Sequence, residues 1–172
     1  TSTIAALDTS VIRSLSNTQI SGISTSQLTA LSDEQVKSIT SSQLNSFSPT
    51  LVTKLSGSQL QAIDVSTFSA ITPTLIGYLS KDQIPALTVN QVGAMTTAQI
   101  KSIATDDLQQ LTAAQIQGIT TDGVKALLAE QVTAFTTAQI SKLTEAQVGV
   151  LSVAQAQALA TDDLPNLTNA QV

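Results

Sequence analysis

Two adjacent carboxylate pairs, Asp106–Asp107 and Asp162–Asp163, carry the most evident chemical capacity in the chain. Calcium takes six to eight oxygens from a turning loop, often with glycine. Neither pair sits in such a loop. A catalytic carboxylate pair must converge on one substrate atom, and sequence neighbours do not. The pairs are therefore expected at helix starts, where the helix dipole favours anions. Asn166-Leu167-Thr168 has the form of a glycosylation sequon. The threonine pairs Thr96–Thr97, Thr120–Thr121 and Thr136–Thr137 are hydroxyl arrays of the general kind that bind ice, but their spacing is irregular. Tyr78, Lys81 and Asp82 form the nearest approach to a non-repeating polar cluster.

The composition removes most other chemistry. The chain has 172 residues with no Cys, His or Trp. Disulfide frameworks, Cys/His metal sites and every His- or Cys-dependent triad are excluded. Haem has only Tyr78 and Met95 to use as axial ligands. Neither a cofactor nor a metal nor a catalytic residue is expected, and the chain is not expected to be an enzyme. The net charge is −5, and Lys37, Lys54, Lys81, Lys101, Lys125 and Lys142 are scattered singly. Nucleic-acid binding needs clustered cations and is not expected. No apolar run approaches the ~20 residues that span a bilayer.

An octad organises the whole chain. Cut every eight residues from Leu7, with positions labelled a to h, the sequence stays in register to its C-terminus. Position a is Leu, Ile, Phe or Met throughout, and f is bulky and apolar in every block but that of Ala156. Position b is Ser, Thr or Asp in 18 of 21 blocks and e is Gln in 14 of 21. The consensus Leu-Thr-x-x-Gln-Ile-x-x is a capping box. The hydroxyl at b accepts from the backbone N–H at e, and the Gln side chain returns to the N–H at b. Residues a and f then form the hydrophobic staple. Pro49 and Pro73 fall at c, the first helical position, where proline is favoured. Pro85 and Pro165 at g prevent a longer helix.

Each octad thus starts a helix of about one and a half turns. One continuous helix fails, because its apolar stripe would drift ~80° per octad. A β-solenoid fails because apolar spacings of 5 and 3 are both odd against a strand period of 2. A single helical turn is unstable alone, so the octads must stack. The expected fold is all-α: a solenoid of very short helices, one per octad, with a continuous Leu/Ile core. Phe47, Phe68 and Phe135 fall at a or f and belong to that core. The capping role is expected to occupy the Gln side chains; a glycan-binding ladder of amides is the alternative.

The departures from Gln at e recur. Val11, Thr67 and Gly123 are spaced seven octads apart, as are Leu51, Asp107 and Asp163; Leu75 completes the set. Either a 56-residue segment was duplicated or seven octads make a whole number of turns. The cap residue is missing at Ala104, Leu128 and Ala160. At Ala104 and Ala160 the cap is expected to move to Thr105 and Thr161. At Leu128 no substitute exists, and the helices around Val124–Ala134 are expected to fuse.

The runs LTAAQI at 111–116, TTAQI at 136–140 and LTEAQV at 143–148 resemble repeats of very large bacterial surface or secreted proteins, often labelled adhesins or haem-utilisation proteins. The resemblance covers the chain from Leu7 and transfers no catalytic residue. It implies an extracellular or cell-surface location and a single repeat array over residues 1–172, cut from a longer chain. The expected function is a structural spacer. The alternative is a binding module whose Ser/Thr/Gln face holds a glycan, a peptide or a second copy. The expected partners are the rest of the parent chain and, through apolar end faces, end-to-end copies of itself.

Overall fold

The computed structural model describes residues 2–159, 163–168 and 171. They form α-helices of four to six residues, two 3-10 helices, turns and extended links, with no strand among the described residues. The protein is all-α and solenoid-like, with two compact units, 1–87 and 88–172.

Within one octad the geometry repeats. At Thr112, the N–H of Gln115 donates to Thr112 Oγ1 at 3.3 Å, and the N–H of Thr112 donates to Gln115 Oε1 at 2.8 Å. This is the expected capping box, and it starts the helix Ala113–Gly118. The helix ends when Ile119, at a, turns extended (φ −64°, ψ 126°) while its N–H donates to Ile116 O at 3.2 Å. The next cap, Thr120, is extended too (φ −64°, ψ 157°). Two extended residues therefore re-aim the chain here, and the a residues Leu15, Ile63, Leu87, Ile103 and Leu159 are extended in the same way. Helices commonly stop on a left-handed glycine. Here no described residue has positive φ, so the octad needs no glycine to turn.

Re-aiming winds the chain into a coil. Residues a and f face inward, and every a and f residue from Leu28 to Leu143 is buried. Phe47, Phe68 and Phe135 are among them, as expected. Helices three octads apart pack together. In unit 1–87, Asp33–Lys37 lies against Gly57–Ala62; in unit 88–172, Val89–Gly93 lies against Ala113–Gly118 and Ala129–Thr133 against Val153–Ala158. Hydrogen bonds between neighbouring turns join residues 25 to 31 apart in both units. One turn is therefore three and a half octads, and seven octads make two turns.

Two local expectations are corrected. The cap at Ala104 does not move: Ala104 remains the N-cap, without a side-chain bond, and Thr105 opens the helix Thr105–Leu108. The helices around Leu128 do not fuse. Thr121–Ala126 and Ala129–Thr133 stay separate, because Leu127 and Leu128 keep the extended geometry (ψ 138° and 152°). Burying Leu127 in the inward row fixes that turn. Gln131 Oε1 still accepts from the Leu128 N–H at 3.0 Å, so half a capping box suffices. The parallel expectation at Thr161 lies outside the described residues. Pro85 shortens its block to a turn followed by the 3-10 helix Ile84–Ala86, and Pro165 lies in the 3-10 helix Leu164–Asn166.

The packing leaves little room between turns. A Cβ on Gly93 would lie 2.9 Å from the backbone oxygen of Gly118, one turn away. Gly93→Ala gains about 1 kcal/mol of helix propensity but must push two backbones apart, an overpacking cost of about 1–3 kcal/mol. The expected net result is a lower melting temperature; an unchanged or higher one contradicts this close approach.

Candidate functional site

The repeating polar feature of the interior is the Gln at e. Its Oε1 end works locally, accepting from the N–H at b in the capping box. Its Nε2 end reaches the previous turn. In unit 1–87, Gln43 Nε2 donates to Ile12 O at 3.0 Å and to Leu15 O at 2.8 Å. Gln35 reaches Ile4 O and Leu7 O, Gln59 reaches Leu28 O and Leu31 O, and Gln83 reaches Val52 O and Leu55 O. In unit 88–172, Gln131, Gln139, Gln147 and Gln155 do the same to the carbonyls 31 and 28 residues earlier, at 2.7–3.1 Å. Gln171 donates to Leu143 O.

The carbonyls taken are those at f and a, where the preceding helix ends. A helix leaves its last four carbonyls without internal partners. In helices as short as these that is most of them. One amide therefore satisfies the start of its own helix and the end of a helix one turn away. The side chains that bridge to two carbonyls are buried: Gln43, Gln131, Gln147 and Gln155 are each 2 % exposed. No buried side-chain nitrogen or oxygen among the described residues lacks a partner.

The capping role was legible in the sequence; the second bond was missed. The signal for it was present. A primary amide offers two N–H donors besides its oxygen, and the capping box uses only the oxygen. Glu serves a capping box equally well, yet none of the chain's three Glu residues stands at e. A carboxylate there would meet carbonyl oxygens. Two shorter carboxylates, Asp107 and Asp163, do stand at e, so the sequence encodes a preference for a donor there and not a requirement.

Positions without Gln show other solutions. Leu51 and Leu75 are buried at e and extend the apolar core. At Leu75 the polar bridge runs in reverse: Asn45 Oδ1 accepts from the Thr72 N–H at 2.8 Å, and Asn45 Nδ2 donates to Ala70 O at 3.2 Å. Gly123 N–H donates to the cap Thr120 Oγ1 at 3.1 Å, and a Cβ on Gly123 would lie 2.9 Å from Ile119 Cγ2. Asp8 and Asp64 occupy N-caps with no side-chain bond, unlike the Ser and Thr caps that accompany Gln.

The residues singled out for chemistry do not assemble into a site. Asp106 and Asp107 lie in the first turn of Thr105–Leu108, as expected of anions at a helix start. Asp107 sits at e, half-buried, and its carboxyl is held above the usual Asp value by burial first and by the Asp106 charge second. Asp163 is buried at the start of Leu164–Asn166, and Asp162 lies outside the described residues. Tyr78, Lys81 and Asp82 are exposed. Met95 is buried in the core. Asn166 of the sequon is exposed. No group of three metal-ligating residues occurs among the described residues, and no described helix is long and apolar enough to cross a membrane.

The model of the ALTTAQ repeat family matches residues 4–41 and 100–137. The two stretches begin twelve octads apart, so both are matched in the same phase. Similarity to this repeat family is thus carried by the capping-box octad itself. No curated protein matches the chain.

Two expectations follow. Gln139→Ala strips partners from the Thr136 N–H and from the Leu108 and Leu111 carbonyls and opens a cavity; about 2–4 kcal/mol of stability is lost. Thr136→Ala, in the same box, costs about 1 kcal/mol. Denaturant unfolding giving the opposite order contradicts the bridging role. Asp107 is the second. Its folded pKa is raised, so its favourable contribution is full below the unfolded value of about 3.9 and is lost as pH rises through the folded one. Asp107→Asn therefore raises the melting temperature at pH 7, and the gain vanishes below the unfolded value.

Proposed function

We propose that this chain is a structural spacer, a segment of repeats that sets distance within a large bacterial cell-surface or secreted adhesin-like protein. One observation carries the reading. The same amide bridge recurs at eight Gln side chains, four in each unit, each donating to the pair of f and a carbonyls one turn earlier. A turn that satisfies its polar groups only through its neighbours can be repeated without limit, which suits a length element. The detected repeat family supports this coarse reading. Surface location and the adhesin-like parent rest on the resemblance of the LTAAQI and LTEAQV runs. The absence of an enzymatic role is part of the same proposal.

Duplicating residues 100–155, two turns and seven octads, tests it. Stacked helices lie about 8–10 Å apart, so the insertion adds about 16–20 Å between dyes placed on either side of it. Energy transfer measured on the original and lengthened chains reads that increment. An increment near zero, or one that grows with the square root of inserted length as in a coil, contradicts the spacer. Saturable binding of a glycan to the Ser/Thr/Gln surface, without that increment, moves the function to a binding module.

A further inference from the structure

We propose that the contact between residues 36–47 and 63–78 of unit 1–87 is a yield seam of the coil, latched by Asn45, which opens before the turns on either side of it. Amide bridges flank the seam. Gln59 donates to the Leu28 and Leu31 carbonyls, and Gln83 to those of Val52 and Leu55. Between them, two successive octads, 63–70 and 71–78, have Thr67 and Leu75 at e in place of Gln. An amide at those places would take the Val36 and Ile39 carbonyls and the Leu44 and Phe47 carbonyls, 31 and 28 residues earlier. Among the described residues no side chain donates to these four. The same two octads also lack the local hydroxyl bond: the N-caps Asp64 and Thr72 make no side-chain cap bond.

Among the described residues, one amide and one ion pair link the two sides of the seam. Asn45 Oδ1 accepts from the Thr72 N–H at 2.8 Å, and Asn45 Nδ2 donates to Ala70 O at 3.2 Å. Lys37 Nζ stands 4.0 Å from Asp64 Oδ1 on side chains at least half exposed, and such a pair is weak and screened by salt. Ile63, Phe68, Ile71, Leu75 and Ile76 are buried, so the seam is closed at rest. Apolar contact is not directional, however, and holds no donor against a chosen carbonyl. The stability of a repeat array is a sum of terms between neighbours, so the interface with the fewest terms opens first. Asn45 does from one turn earlier what Gln at e does within its own octad, and the latch is therefore a single residue. The order of opening stands apart from the spacer reading. Its use rests on that reading: a spacer under tension gives way at one place while the rest of the coil keeps its length.

Native-state hydrogen exchange of the whole chain, read by NMR at assigned amides, tests it. The Phe68 and Ile76 N–H groups donate to Asp64 O and Thr72 O, as those of Leu44 and Leu60 donate to Thr40 O and Ser56 O. All four residues are buried. Phe68 and Ile76 are expected to exchange about tenfold faster than Leu44 and Leu60, the difference that one or two hydrogen bonds make. Asn45→Ala is expected to speed Phe68 and Ile76 about tenfold further and to leave Leu60 unchanged. A small residue at g is compatible with the fold, as at Ser69 and Gly77. Thr67→Gln, which places the consensus amide opposite the Val36 and Ile39 carbonyls, is expected to slow Phe68 about tenfold. Equal exchange at the four amides overturns the proposal, as do Phe68 and Ile76 rates that neither variant moves. Pulling the chain from its two ends tests the use. The first extension step is expected at lower force in Asn45→Ala and at higher force in Thr67→Gln. A first step that neither variant moves overturns the role under tension. The duplication of residues 100–155 bears on the spacer alone, so the two readings fail separately.

Discussion

The fold depends on one constraint: a helix of barely more than one turn leaves most of its backbone groups without internal partners. An octad with a bridging Gln at e pays that debt twice over with one side chain. The Gln oxygen satisfies the cap N–H of its own helix, and the Gln nitrogen satisfies the closing carbonyls of a helix one turn earlier. The residue type follows from the two tasks. Only a primary amide accepts and donates at the two ends of one planar group, with a stem long enough to cross between turns. Burial strengthens the arrangement, because an amide bond is worth more in a low-dielectric interior and an unmade one is costly there. The hydrophobic rows at a and f supply the drive to stack, and the amides fix which carbonyls meet which donors.

Much of this was legible in the sequence. The capping box predicted the helix starts, the a and f rows predicted the core, and the two together predicted a stacked all-α coil. Pro49 and Pro73 stand at the first helical position, as their place at c required. What was not legible was the long-range use of Gln, because a local motif accounted for the residue and closed the question. The turn length was hidden for the same reason. Octads three and four places apart are identical in type, so no pattern in one octad reveals its neighbour across the coil. The hydrogen-bond separations supply it, and they make the seven-octad spacing of Val11 and Thr67, or of Asp107 and Asp163, the length of two turns.

The errors at Ala104 and Leu128 share a cause. Both expectations take the cap hydroxyl as the signal that ends one helix and starts the next. The structure shows that the extended pair at a and b does this, held by burial of the a side chain. Ala104 and Leu128 keep that geometry with no hydroxyl. The cap hydroxyl adds stability to a boundary that the core has already set. This also explains why Asp8 and Asp64 occupy caps without bonding.

Exchange of the Gln side-chain amide protons, followed by NMR with residue-specific assignment, tests the central claim most directly. Buried bridges at Gln131, Gln139, Gln147 and Gln155 predict Nε2 protons that exchange slowly, with the opening of the coil, while those of Gln19 exchange at the rate of a solvent-exposed amide in dilute solution. Uniformly fast exchange at all of these residues would mean that the amides do not join the turns, and the account built on them would fail.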